Sequence, residues 1–148
     1  MNTATKEAPP LSELYERDEV AWYGAMIELI ELGRTEEVDF VNLKELLESM
    51  ANRERKEVKS RLRLLLAHWL KWQYQPEKRT GSWRVTIELQ RSELQDDLGA
   101  SRVLYNHALE IFDAVYIKAL WDAATETELP PNTFPETCPV TLDELLAE

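Results

Sequence analysis

The chain has 148 residues, 44% of them apolar and 30% charged, and a formal net charge of −11. That length suits one domain able to hide about 70% of its unfolded surface, and the composition is neither disordered nor fibrous. No run of about 18 apolar residues occurs, so no membrane-spanning helix is expected, and the polar N-terminus does not read as a secretory signal.

The charge is unevenly spread. Residues 1–52 carry four basic and twelve acidic residues, a net of −8. Residues 53–91 carry eleven basic and four acidic residues, a net of +7. Residues 92–148 carry two basic and twelve acidic residues, a net of −10. A basic middle between acidic flanks either packs against them, charge to charge, or presents an exposed patch to a polyanion. The first reading is preferred, because an acidic protein repels nucleic acid unless its patch is well segregated.

Residues 1–10, MNTATKEAPP, read as a loose tail, and 11–148 as a single helical domain. Apolar residues recur at three-and-four spacing throughout, while strict alternation is hard to find. The first predicted helix runs from about Ser12 to Leu32, with Leu14, Ala21, Ala25 and Leu29 in line and Trp22, Met26 and Ile30 beside them. Gly33 follows as a left-handed cap. Asp39 is placed to cap the next helix, with Val38 and Leu43 set for a hydrophobic staple. Whether 39–74 forms one helix or two is open, with a break near 51–53 preferred because Asn52 falls there. From Arg53 to Tyr74, Val58, Leu62, Leu65, Trp69 and Trp72 share an arc of roughly 80°, opposite Lys56, Lys59 and Arg63. Leu64, Leu66, Ala67 and Leu70 fill the other directions near its end, which is the pattern of a buried helix.

Pro76 stops that helix, and 75–80 reads as a polar loop. Ser82 caps a helix over about Trp83–Leu98 closed by Gly99, and Ser101 caps another to about Ala124. Pro130, Pro131, Pro135 and Pro139 interrupt the tail, and Thr141 with Glu144 forms a capping box for a short last helix. The expected fold is all-α, a single-domain helical bundle of about five main helices plus a short C-terminal helix.

The segment His68–Ile87 concentrates three tryptophans, one histidine and four Lys/Arg residues. Aromatic rings interleaved with cations are what a single-stranded nucleic-acid surface needs. Yet Trp69 and Trp72 stand in register with leucines, which favours core. Lys71, Lys78, Arg79 and Arg84 are the better surface candidates. His68, and His107 with Glu110 three residues on, supply acid–base or metal-ligand chemistry in principle, but no paired ligand motif completes a set, and structural roles are preferred. Cys138 reads as a packed anchor, and as the lone cysteine it leaves no internal disulfide and suits a reducing cytoplasm. With four glycines the chain holds no Gly-rich phosphate cradle.

Three stretches, HWLKWQYQPEKR, SWRVTIELQR and LPPNTFPETCPVTLDELL, carry a resemblance. From Leu14 to Leu146 the chain resembles the bacterial, chiefly cyanobacterial, domain-of-unknown-function family 29. That family commonly reads H-L-L-K-W-Q-Y-Q-P, then a basic pair, S-W and T-I-x-x-Q-R. The matching positions are His68, Lys71 through Pro76, Lys78, Arg79, Ser82, Trp83, Thr86, Ile87, Gln90 and Arg91. The second segment matches at Phe134, Pro135, Cys138, Pro139 and Leu142, with Val140 where the family often has an aromatic. The resemblance implies an all-helical, cytoplasmic protein and supplies no activity or catalytic residue.

The favoured function is therefore a non-enzymatic protein-interaction module whose partner is a protein or the same chain. The alternatives are nucleic-acid binding through a basic patch of Lys56, Lys59, Arg63, Lys78, Arg79 and Arg84, or a metal-dependent hydrolase using His68 or His107. A polar pocket is expected from His68, Gln73, Gln75, Arg79, Gln90 and Arg91. No cofactor, no metal and no membrane partner is implied.

Overall fold

The computed structural model describes residues 10–148, and most of the expected tail therefore lies outside the described residues. All regular structure among them is helical: α1 Leu11–Arg17, α2 Glu19–Glu31, α3 Phe40–Tyr74, α4 Gly81–Ala100, α5 Arg102–Thr127 and α6 Leu142–Ala147. Internal contacts divide the chain into two compact units, Met1–Ala51 and Asn52–Glu148.

In the first unit the helix expected over 12–32 is two helices. Asp18 leaves helical geometry at φ −149° and ψ 85°, and its carboxylate accepts the Ala21 N–H, so it caps α2 and breaks the run. Trp22, Met26 and Val38 form the core, with Leu14, Tyr15, Leu29 and Leu43 packed on it. The Tyr15 ring meets the Trp22 ring edge-on at 4.9 Å. Gly33 takes φ +70°, its N–H bonds to the Ile30 carbonyl and Arg34 N–H reaches Leu29, so the end of α2 is a Schellman motif as expected. Asp39 caps α3 as expected, accepting from Asn42 N–H at 3.3 Å. Its second oxygen accepts from the Trp22 indole at 3.2 Å.

The preferred break at 51–53 does not occur, because α3 is one continuous helix of 35 residues. Residues 50–54 are all exposed and none is Gly or Pro, so nothing in the packing or the backbone stops the helical ladder there.

The second unit wraps the end of α3 with α4, α5 and α6. Leu62, Leu65, Leu66 and Leu70 are fully buried, against Leu94 of α4, Val115 and Ala119 of α5, and Leu142 and Leu145 of α6. Thr80, not Ser82, caps α4 by accepting the Trp83 N–H, because the loop closes two residues sooner than its serine suggests. The helix then runs past Gly99 to Ala100, and Ser101 caps α5 as expected. The proline segment is pinned by the Tyr116 hydroxyl, which donates to the Pro135 carbonyl at 2.6 Å, and by Tyr74 edge-on to Phe134. Thr141 caps α6 as its sequence indicates.

Candidate functional site

The C-terminal end of α3 brings its aromatic residues to the wall of α4. Trp69 is 5% exposed and Trp72 is half-buried against the core, so the indoles of this helix are architectural first. Pro76 ends the helix, and the tight turn Pro76–Lys78 sends the chain back over it. Arg79 then donates from Nε to the Trp72 carbonyl at 2.8 Å and lays its guanidinium 4.7 Å from the Trp72 ring centre. One arginine thus satisfies a carbonyl at the helix end and stacks on the ring of the same residue.

Two hollows meet at that ring. The first, about 250 Å³, has Trp69, Trp72 and Ile87 as apolar walls and Gln73, Arg84, Glu88, Arg91 and Glu148 at its polar edge. The second, about 330 Å³, is lined by Trp72, Arg79, Thr80, Gly81 and Arg84. Arg91 is held by its own Nε bond to the Leu145 carbonyl at 2.9 Å, with Nη2 3.7 Å from Glu148. Arg84 is exposed, and its side chain has no hydrogen bond or ion pair among the described residues, while its backbone N–H bonds to the Thr80 carbonyl at 3.3 Å.

The six residues expected to form a polar pocket do not all converge. Gln73 and Arg91 line the first hollow and Arg79 the adjoining one. Gln75 is buried. Gln90 accepts from Arg61 at 3.2 Å, in a cluster where Arg61 also meets Glu57, Glu93 and Asp97. His68 lies elsewhere: its Nδ1 is 3.0 Å from the Leu64 carbonyl, which can only accept, so that nitrogen carries the proton. Burial lowers its pKa first of all, Lys71 adds to that, and the Leu64 carbonyl and Glu126 oppose it.

The basic residues separate in the same way. Arg63 makes a two-point ion pair with Asp122 at 2.6 and 2.8 Å. Lys59 lies against Lys118 and thereby lowers that amine's pKa. Lys56 and Lys78 are exposed, and Arg79 and Arg84 border the Trp72 hollows. Lys71, expected at the surface, is buried: its ammonium bonds to Glu126 of α5 and sits 5.0 Å over the Trp83 ring of α4. Within this unit four of the eleven cations of 53–91, Arg61, Arg63, Lys71 and Arg91, face carboxylates of 92–148, in line with the first of the two charge readings.

Cys138 is half-buried on the core, and burial raises its thiol pKa, with Asp113 and Glu144 adding to the rise, so it is an anchor and not an activated nucleophile. His107 is half-buried beside exposed Glu110. Among the described residues no three His, Cys, Asp or Glu side chains cluster as a metal set would. None of the described helices is long and apolar enough to cross a membrane.

Two apolar surfaces escaped notice in the sequence. On α2, Val20, Tyr23, Ile27 and Ile30 are exposed, at 76%, 38%, 55% and 58%. Their spacing of three and four was a readable signal, masked by the stronger stripe through Trp22, Met26 and Leu29. On α5, Trp121 is 57% exposed beside an open hollow of about 450 Å³ floored by Leu120 and Phe134.

Among curated proteins and among solved structures, nothing matches the chain. Residues 14–148 match the family described as domain of unknown function DUF29, a span that takes in both signature segments, residues 14–51 of the first compact unit and all of the second. The chain belongs to the DUF29 family.

Proposed function

We propose that this protein is a non-enzymatic interaction module, and that it docks a protein segment on the outer face of α2. One observation carries the reading: a 13-residue helix has a packed apolar face and a second, solvent-exposed one. At 100° per residue, Ile30, Tyr23, Ile27 and Val20 fall within one arc of roughly 80°, and Trp22, Met26 and Leu29 fill the adjoining arc of roughly 60°. Exposed apolar stripes with polar borders are the usual mark of a partner surface. Glu31 and Glu28 border this one, in a stretch with a net charge of −8. Charge complementarity therefore favours an amphipathic helix whose apolar stripe is flanked by lysine or arginine. The same acidity disfavours a second copy presenting the same face. The proposed location is the cytoplasm, supported by a single cysteine that leaves no internal disulfide.

The nucleic-acid alternative is less well supported, since Arg63 is neutralised by Asp122 and Lys71 by Glu126. The hydrolase alternative lacks a converging ligand set around His68 or His107 among the described residues.

Calorimetric titration with a synthetic amphipathic peptide of about 18 residues tests the proposal. The full chain should bind a Lys/Arg-flanked version and not its Glu-flanked counterpart. Ile27→Asp, at an exposed site, should weaken binding about tenfold or more. Equal binding of both peptides, no binding of either, or indifference to Ile27→Asp overturns it. A dimer in light scattering that Ile27→Asp dissolves also overturns it, by assigning the face to a second copy.

A further inference from the structure

We propose that the paired hollows beside Trp72 form a binding site for a small organic anion: a flat apolar body carrying one phosphate or carboxylate. The proposal is independent of the α2 face. Its first support is the shape of the site. Trp72 and Arg84 line both hollows, so a ligand can lie with its body in the first and its charge in the second. The walls of the first, Trp69, Trp72 and Ile87, offer aromatic and aliphatic surface of the kind that holds a planar body.

The second support is the state of the arginines. Arg79 uses Nε on the Trp72 carbonyl and is braced against the ring, so its two terminal nitrogens are held ready at the rim without a partner of their own among the described residues. The Arg84 guanidinium has no hydrogen-bond or ion-pair partner among the described residues, although acidic residues abound in the chain. An arginine left unpaired beside a braced one, over a hollow, is suited to fork-like recognition of a phosphate or carboxylate. The site also opens at the start of α4, whose first N–H groups add to the positive field without carrying the argument.

The third support is what the acidic groups select. Glu88 and Glu148 border the first hollow, and Glu148 is already engaged by Trp69 and Arg91. Carboxylates at that end repel a polyphosphate strand or a dianion with separated charges. They leave room for one anionic group at the Arg79–Arg84 end and a neutral body at the other.

Calorimetry of the full chain with phenyl phosphate tests the site, with benzoate as the carboxylate arm and phenol and inorganic phosphate as the two halves. Phenyl phosphate or benzoate should bind, and each half alone should bind about tenfold more weakly or worse. Arg84→Gln, at an exposed position with no structural bond, should weaken binding about tenfold, and Arg79→Gln at least as much. Bound ligand should shift the Trp72 indole N–H resonance, assigned by its disappearance in Trp72→Phe. No heat and no resonance shift at millimolar ligand overturns the proposal. So does affinity unchanged in Arg84→Gln, or inorganic phosphate binding as well as phenyl phosphate.

Discussion

The Trp69 indole donates from Nε1 to the Glu148 side chain at 3.0 Å, across 79 positions of sequence. Arg91 reaches the same carboxylate oxygen at 3.7 Å, so α3 and α4 share one acceptor at the end of α6. Most of what Trp69 contributes is nonetheless its buried ring. Trp69→Ala should cost about 3–5 kcal/mol. Glu148→Ala should cost only about 1 kcal/mol, because that carboxylate is half-exposed. Guanidinium unfolding midpoints will separate the two, and a neutral Trp69→Ala would contradict the burial of the ring.

Asp39 does two jobs in the first unit. Replacing it with alanine removes the α3 cap, worth about 1 kcal/mol. It also strands the buried Trp22 N–H, worth about another 1–3 kcal/mol. Asp39→Asn keeps an acceptor and should cost less. Burial pushes the Asp39 pKa up, but hydrogen bonds from the Asn42 side chain and N–H and from Trp22 outweigh it, and the net shift is downward. A depressed carboxylate stabilises above its unfolded pKa, and that contribution fades as pH falls through the folded value. The stability gap between wild type and Asp39→Asn should therefore be constant near neutrality and close below about pH 4.

Lys71 is a buried cation whose acceptor, Glu126, remains half-exposed. Lys71→Met keeps the volume and should lie within about 1 kcal/mol of wild type, because an apolar isostere avoids the desolvation of the ammonium. Lys71→Ala opens a cavity under Trp83 and should cost about 2 kcal/mol. Thermal melts of both variants check this.

Arg61 stands among Glu57, Glu93 and Asp97, and these carboxylates hold its pKa up. Without it, three acids face one another. Arg61→Ala should cost about 1–2 kcal/mol at low salt and visibly less in 1 M NaCl, where such repulsion is screened. The two-point pair of Arg63 with Asp122 is more exposed, and Arg63→Ala should cost about 1 kcal/mol or less.

Two glycines should respond in opposite senses to alanine, though both have open space around the missing side chain. Gly33→Ala forces a left-handed backbone on a residue with a Cβ and should cost about 1–2 kcal/mol. Gly99→Ala lies inside α4 and should add about 0.5–1 kcal/mol. Denaturant titrations of the pair read the backbone alone.

The helices were legible because their apolar spacing is strong, and the caps at Asp39, Ser101 and Thr141 because a short polar side chain there has one obvious N–H to serve. Asp18 and Asn52 were read the wrong way round for a shared reason. Either residue can cap, and only the neighbouring geometry decides whether it does. Asp18 finds the Ala21 N–H, while Asn52 stays within an exposed, unbroken ladder. At the candidate site the rings were readable, since Trp69 and Trp72 share the leucine face. The polar partners were not, because the return of the chain after Pro76 decides which of them meet. That turn puts Arg79 on Trp72, while Lys71, one residue earlier on the helix, is turned toward Glu126.

The exposure of Trp121 has a photophysical consequence. Trp22 and Trp69 are shielded from water, Trp72 and Trp83 half-shielded beneath cations, and Trp121 stands largely in solvent. Native emission should therefore be a blend in which Trp121 supplies the red edge and is the first indole reached by acrylamide. Trp121→Phe should leave a bluer spectrum whose later reddening signals melting of the protein interior.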